Sequence, residues 1–502
     1  MKLSTLALFS TLAMALTSAT VWGLTPPTAA QTPPAPTAKA SVAGIAPAAN
    51  GGDDGGSLGQ WLTPDSDRGP TFSVGDTLQV EGRLGHASLD AAKATETFVM
   101  LTIEAATAEV ASVTAPVNLA IVVDRSRSME GKRMANALDA ARGMVRRLRE
   151  GDTVSVVTYN SATEVLVPNT VIDARTRGDV LFSLRGVEAR GHTCISCGIE
   201  SGISAMGTRA GAVNRMLLLS DGQANFGVRD VDGFRRLAEQ ARTSNVAIST
   251  VGVDVDYNER VMFAVAQAST GRHYFVENTT SLPKIFDEEL ASLVNTVANR
   301  TSVELDIAPG VTVLDVLDRG FTRDGNRLIV PFGSFSAGEK KTLLVRVRVP
   351  AGGVGEQPIA EVRTRYDDLA KDVRGDCQGT LVADLTQDRS RVSELDPIVE
   401  ARVARSETAA SLTRANELFV QGDVAAAQAE LDNKRGRIRR RKASTKKKTK
   451  GKLQDSLSGD FESQLKSLEA AERGFRSAPA PSSRAGKAQV RNNASQLDEL
   501  GL

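Results

Sequence analysis

Two aspartates, two serines and a threonine carry the clearest chemical signal in this 502-residue chain. Asp124, Ser126 and Ser128 lie in Asn118-Leu-Ala-Ile-Val-Val-Asp124-Arg-Ser126-Arg-Ser128-Met129. Thr193 follows Gly191-His192, and Asp221 follows the run Met216-Leu-Leu-Leu-Ser220. Each aspartate ends an apolar run that reads as a buried parallel strand. Open α/β sheets bind ligands beyond the carboxyl ends of their strands, so the five side chains are expected to converge. Two carboxylates and three hydroxyls, without nitrogen or sulfur, suit a hard divalent cation such as Mg²⁺ or Mn²⁺. The competing reading is a closed site, or a metal that only stabilises the loops.

This pattern, Asp-x-Ser-x-Ser and then a Thr and an Asp, resembles the metal-ion-dependent adhesion site (MIDAS) of von Willebrand factor type A domains. The resemblance covers roughly residues 115 to 297. It implies a doubly wound, mostly parallel, Rossmann-like sheet. It also implies a metal incompletely coordinated by protein, with an exposed Asp or Glu of a protein partner taking an open position. One position departs from the pattern: many members have Gly where this chain has Arg127. An Arg there either strains the loop, if the position needs φ > 0, or serves at the rim as a partner-binding anchor.

The strands and helices needed to position these residues are legible in the periodicity. Val117 to Val123 reads as the first buried strand. Met134, Leu138, Ala141, Val145 and Leu148 then fall at helical spacing. Strands at 154–159, 216–219, 247–253 and 273–276 alternate with helical segments, as a doubly wound α/β sheet requires. After residue 300 short strands predominate and suggest an accessory β-sandwich. Strands within 70–114 are expected to join it, with the A-type domain (115–299) inserted between its parts. The alternative is a small hairpin packed on that domain. The sandwich is assigned 300–390 and a helical region 391–476, starting as one helical hairpin. A basic run at 434–452 reads as a solvated loop, and 477–502 as a disordered tail.

The N-terminus reads as a secretory signal over 1–24: a Lys2 start, an apolar middle from Leu6 to Leu16, and small residues at 17–19. Ala30 is an alternative cleavage position, and an uncleaved anchor is the competing reading. Residues 25–69 are rich in Pro, Ala and Gly and read as a disordered linker. No later segment is apolar enough to span a bilayer. These features imply export to the periplasm or cell surface of a bacterium. The overall order resembles exported bacterial A-type proteins related to the heavy chains of inter-α-trypsin inhibitor.

Composition narrows the function further. Net charge is +1, so no class of partner is excluded by charge alone. Aromatic residues are only 4 %, which argues against a stacking surface for single-stranded nucleic acid. No Gly-x4-Gly-Lys-Ser/Thr phosphate loop occurs, and Ser220, which precedes Asp221, lacks a Gly-x-Ser-x-Gly elbow. The three histidines, His86, His192 and His273, suggest no catalytic triad. Cys194 and Cys197 are candidates for a disulfide at a helix start. Free thiols, a redox pair, or a soft-metal site with His192 are the alternatives. Cys377 would then be buried or pair between molecules. The basic run carries 12 Lys or Arg without an acid, and could hold an anionic surface. The reading as a whole is a non-catalytic, metal-dependent protein-binding protein of the bacterial envelope. A scaffold contacting its complex through the helical tail is one alternative, and thiol–redox chemistry at Cys194 and Cys197 is another.

Overall fold

The structure, a computed structural model, describes residues 71–107, 115–477 and 480–499, with side chains at 75–107, 115–477 and 480–494. The expected signal segment and linker lie outside the described residues. Four strands come first: β1 (Thr71–Val74), β2 (Leu78–Leu84), β3 (Ser88–Asp90) and β4 (Thr95–Ala105). An alternating α/β stretch follows: β5 (Val117–Asp124), α1 (Lys132–Arg147), β6 (Thr153–Tyr159), β7 (Thr163–Val171), α2 (Thr176–Ser183), α3 (Ile195–Met206) and β8 (Val213–Ser220). It continues with α4 (Val231–Thr243), β9 (Ala247–Val253), α5 (Glu259–Ser269), β10 (His273–Val276) and α6 (Leu282–Val294).

These strands form a six-stranded sheet in the order β10-β9-β8-β5-β6-β7. All its pairings are parallel except β6 with β7. All eight residues of β5 are buried. Its side chains alternate between two cores, as the two-residue period of a strand requires. Leu119, Ile121 and Val123 pack with residues of α1 and α6 such as Met144 and Phe286. Ala120 and Val122 pack with Ile199 of α3, Phe234 of α4 and Val265 of α5. Burying each large aliphatic side chain contributes about 1.5–3 kcal/mol, so this two-sided burial fixes the layer order.

The chain then forms β11 (Thr296–Ile307), β12 (Thr312–Leu317), β13 (Thr322–Asp324), β14 (Arg327–Ser336), β15 (Lys340–Val349), β16 (Gly355–Asp368) and β17 (Val373–Thr386). With the first four strands these build two sheets, β1-β2-β4-β15-β12 and β13-β14-β11-β16-β17-β3. The antiparallel pairing of β4 with β15 runs from Glu104↔Lys340 to Thr95↔Val349. The inner faces share one core that includes Val99, Leu101, Leu305, Phe332, Val345 and Leu381.

Four helices follow: α7 (Pro397–Val420), α8 (Val424–Lys448), α9 (Gly451–Ser477) and α10 (Arg484–Glu499). They form a bundle larger than one hairpin, packed around Leu412, Phe419, Leu431, Phe461 and Phe475. Phe419 and Phe475 stack at 4.4 Å between ring centroids. The expected basic loop is instead helical to Lys448. Its cations are held by carboxylates of α7 and α9: Lys434–Glu407 at 2.7 Å, Arg441–Glu407 at 3.1 Å, Arg435–Glu472 at 2.5 Å and Lys442–Glu462 at 2.6 Å. Self-repulsion, the basis for expecting a loop, is thereby offset in part by acids distant in sequence.

The tail also departs from expectation, because Arg484–Glu499 is a helix. Arg484 and Lys487 pair with Asp254 and Asp256 of the β9–α5 loop at 2.8 and 2.7 Å, and Arg491 pairs with Glu259. Arg491 also lies over the Tyr257 ring at 4.9 Å. Among the described residues, no helix is long and apolar enough to cross a membrane.

His273, at the edge of the α/β sheet, hydrogen-bonds Thr250 Oγ1 at 2.8 Å and Tyr257 Oη at 3.0 Å. Burial pushes its pKa down to about 4. The folded state therefore disfavours the imidazolium, whereas the unfolded chain takes a proton below about pH 6.5. Its contribution to stability is complete above that value and is lost as pH falls toward 4. Urea unfolding between about pH 7.5 and 4.5 should show the wild type losing about 1–2 kcal/mol more than His273→Gln, a figure discounted for the ring's partial exposure. Equal losses would remove His273 as the cause.

Candidate functional site

Asp124 and Ser220 end the adjacent strands β5 and β8, and Asp221 directly follows. Asp124 is fully buried. One of its oxygens accepts the Ser126 backbone N–H at 2.8 Å, and the other accepts the Ser220 hydroxyl at 2.7 Å. The Ser126 and Ser128 hydroxyls are 3.1 Å apart, and Ser128 donates to Asp221 Oδ1 at 2.6 Å.

Thr193 arrives from α3, which lies close on the sheet because it carries Gly198 and Gly202. A Cβ at Gly198 would stand 2.7 Å from the Tyr159 ring, and one at Gly202 would stand 2.6 Å from Val122. The Thr193 backbone is clamped to the loop after β8. Its N–H donates to Asn225 Oδ1 at 2.8 Å, and its carbonyl accepts from the Asn225 and Phe226 N–H groups at 3.1 and 3.2 Å. A Cβ at Gly222 would meet the Thr193 hydroxyl at 3.2 Å and that of Ser128 at 3.7 Å. The absent side chain at Gly222 thus leaves room beside both hydroxyls. The structure therefore brings Asp124, Ser126, Ser128, Thr193 and Asp221 to one cluster.

Electrostatics and donor chemistry both fit a hard cation. Burial raises the Asp124 carboxyl to about 7, against the lowering effect of its hydrogen bonds, and burial raises Asp221 as well. Two carboxylates that resist ionisation gain most from a divalent charge between them. Among the described residues no three His, Cys, Asp or Glu side chains cluster, so the hydroxyls must complete any ligand set. Oxygen-only sets of this kind suit Mg²⁺ or Mn²⁺.

Arg127 lies between the two serines and is exposed; its N–H donates to the Gly191 carbonyl at 3.3 Å. It is not among the residues with positive φ, so the strain alternative does not apply. The guanidinium against the acidic cluster belongs instead to Arg133, near the start of α1. It donates to the Ser128 carbonyl at 2.7 Å and to Asp221 Oδ2 at 2.9 Å, and it also pairs with Asp254. Sequence reasoning missed Arg133. The available signal was its place five residues beyond Ser128, in the first turn of the helix that leaves the loop.

Cys194 and Cys197 form a disulfide across the first turn of α3, next to Thr193. His192 is exposed, and its N–H donates to Ser161 Oγ at 3.1 Å. Cys377 is buried in the sandwich, with its sulfur 3.7 Å from the Leu78 carbonyl. His86 hydrogen-bonds Thr97 Oγ1 at 2.9 Å within the sandwich.

The profile of the von Willebrand factor type A domain matches residues 118–288. These residues are a von Willebrand factor type A domain. The chain is 26 % identical over 196 residues to YfbK of Escherichia coli, covering 38 % of this chain and 34 % of YfbK. It is 24 % identical over 267 residues to inter-alpha-trypsin inhibitor heavy chain H2 of Mus musculus, covering 51 % of this chain and 27 % of that protein. The matched stretches thus span about a third or less of these two relatives. A solved von Willebrand factor type A structure from Catenulispora acidiphila superposes with a TM-score of 0.66 at 17 % identity, covering 86 % of this chain and 97 % of that one. This likeness extends the shared fold past the A-type domain into the sandwich and helices. A-type domains generally mediate protein–protein interactions and are typically non-catalytic.

Two outcomes follow from the site. Arg133 places a positive charge on a carboxylate that a metal would need. Arg133→Gln should tighten Mg²⁺ binding about tenfold, the effect of one charge on a divalent ion at ~6 Å in a watery dielectric. Calorimetry on both proteins checks this, and weaker binding in the variant would make Arg133 a support for the ligands. Alkylation without reductant should leave Cys194 and Cys197 unlabelled by mass spectrometry, and labelling of both would show that the bond does not form.

Proposed function

We propose that this chain is a non-catalytic, divalent-cation-dependent protein-binding protein of the bacterial cell envelope. The observation that carries this reading is the convergence of five oxygen-bearing side chains beyond the strand ends, beside exposed positions. Asp124, Ser126, Ser128, Thr193 and Asp221 would hold Mg²⁺ or Mn²⁺, directly or through water. When bound, the metal supplies a Lewis-acidic position for a carboxylate oxygen of the partner.

The chain's own residues divide the remaining tasks. Asp124 is fixed by Ser126 and Ser220, so its orientation does not depend on the metal. The Cys194–Cys197 bond and the Asn225 clamp hold Thr193 in register with the loop after β8. Arg127 is exposed beside the two serines, where a guanidinium can pair with the partner's Asp or Glu in bidentate geometry. Export rests on the reading of residues 1–24 as a secretory signal.

Calorimetry with MgCl₂ or MnCl₂ should show binding that Asp124→Asn weakens at least tenfold, with thermal unfolding little changed because the shape of the side chain is kept. Thr193→Val, which removes a hydroxyl and keeps the volume, should weaken it too. Capture of envelope proteins on the immobilised chain should require the cation and be lost with chelator. Arg127→Gly should reduce capture without weakening metal binding. An absence of metal binding, with or without an added carboxylate, would overturn the proposal.

A further inference from the structure

A cavity of about 690 Å³ lies where the A-type domain, the sandwich and α7 meet. Arg215 of β8 lines it, six residues before Asp221, so roughly 20 Å of strand separate it from the metal cluster. Its walls come from three parts of the fold: the ends of α4 and α5 with β10, the sandwich segment around Arg319 with β14 and the start of β15, and the middle of α7.

The charge of the walls is unbalanced. Seven Lys or Arg side chains line the cavity against Glu239, Asp318 and Glu339. Some cations are neutralised by acids: Arg272 by Glu339 at 2.9 Å, and Arg215 by Glu289 at 3.5 Å. Arg235 pairs with Asp232 and Lys340 with Glu104, each at 2.8 Å. Arg242 and Arg319 have no carboxylate at ion-pair distance among the described residues. Arg319 gives its Nε–H to the Thr342 carbonyl at 2.7 Å and lies over the Phe332 ring at 4.2 Å. Arg242 gives its Nε–H to the Ala268 carbonyl at 3.2 Å. Neither uses its terminal nitrogens in a hydrogen bond among the described residues.

At the floor, buried Arg215 leaves its Nε without a partner. Lys341 meets the carbonyls of Phe332 and Ser334, the Phe335 ring at 4.5 Å and, at 3.7 Å, Glu339, which Arg272 shares. Burial pushes the Lys341 ammonium down to about 8. Glu339 opposes this, while Arg319, Arg272 and Arg215 add to it. Burial and then Arg402 lower Arg319 to about 10. Cations that depress one another mark a positive potential, which low-dielectric walls focus. Two aromatic side chains on the same walls, Phe263 and Phe321, are 41 % and 45 % exposed, which is unusual for rings in a three-way junction.

We propose that this cavity binds a small organic anion bearing at least two negative charges, held by Arg319, Arg242 and Lys341, with its apolar part against Phe321 and Phe263. A cavity of this size accommodates a compact organic ligand, and unpaired guanidinium groups are the natural partners of carboxylate or phosphate oxygens. The two sources of such chemistry are a polycarboxylate and a phosphate ester. The site is separate from the metal cluster, and its occupancy does not rest on the function proposed above.

The test uses the full chain in EDTA at low ionic strength, titrated with citrate and separately with phenyl phosphate by calorimetry and thermal unfolding. At least one probe should bind with a Kd on the order of 1 mM or tighter and raise the unfolding midpoint. Binding of citrate alone identifies the polycarboxylate source, and binding of phenyl phosphate alone the phosphate ester. Arg319→Gln should weaken binding at least tenfold. Arg242→Gln, at a partly exposed position, serves the same purpose if the first variant folds poorly. Phe321→Ser should weaken phenyl phosphate more than citrate. No binding of either probe at about ten times that Kd, or binding unchanged in a folded arginine variant, would overturn the proposal.

Discussion

Asp124 is a carboxylate at the end of a strand buried at every residue, and the upper face of the α/β sheet is organised by what that placement demands. A buried carboxylate must be hydrogen-bonded on both oxygens or neutralised. Ser126 and Ser220 meet the first demand from the two strand ends that flank it. The turn that supplies the Ser126 N–H also brings Ser128 to Asp221. The position of β8 beside β5 places the second carboxylate, and the glycine-lined contact of α3 with the sheet places Thr193. Satisfaction of one group thus sets the geometry of the other four.

The α/β layer and the meeting of Asp124, Ser126, Ser128, Thr193 and Asp221 were legible because their signals are local. The apolar runs ending at Asp124 and Ser220, and the helical stripe from Met134 to Leu148, each lie within one element and show their own period. Arg133 was not legible, because its significance depends on Asp221 and Asp254, 88 and 121 positions away. The basic run was misread for the same reason. Twelve like charges in sequence say nothing about Glu407, Glu462 or Glu472, which turn that segment from a repelling loop into a packed helix. The tail was misread because its Pro, Ser and Ala content is that of a linker, while Arg484 and Lys487 find acids on the β9–α5 loop and Arg491 finds Glu259 at the start of α5. Long-range charge pairing leaves no periodic trace.

The same pairing ties the parts of the molecule together. Arg133 bridges Asp221 to Asp254, and Asp254 in turn accepts Arg484 from α10. Hydrogen bonds from the Val255 N–H and Arg484, with the charge of Arg133, hold the Asp254 carboxyl below its usual range despite burial. The C-terminal helix is therefore connected to the rim of the site by a chain of alternating charges. On the other side, Arg215 reaches Ser334 of the sandwich at 3.0 Å and Arg402 of α7 reaches Asp318 at 2.9 Å. These are contacts among buried or half-buried groups, which salt screens less than it does surface pairs.

The pairing of β4 with β15 has a consequence for how the polypeptide becomes a folded protein. Glu104 and Lys340 are partners 236 positions apart (340 − 104), with the whole α/β domain between them. A chain emerging from its N-terminus must leave the long edge of β4 without that neighbour until the inserted domain has been made. Closing so long a loop is entropically slow unless its ends are first drawn together. The inserted domain does this: its first strand starts just after β4, and α6 leads straight into β11. Folding of the insert would shorten the effective loop before the sandwich closes, which makes the order of assembly, inside before outside, a property of the topology.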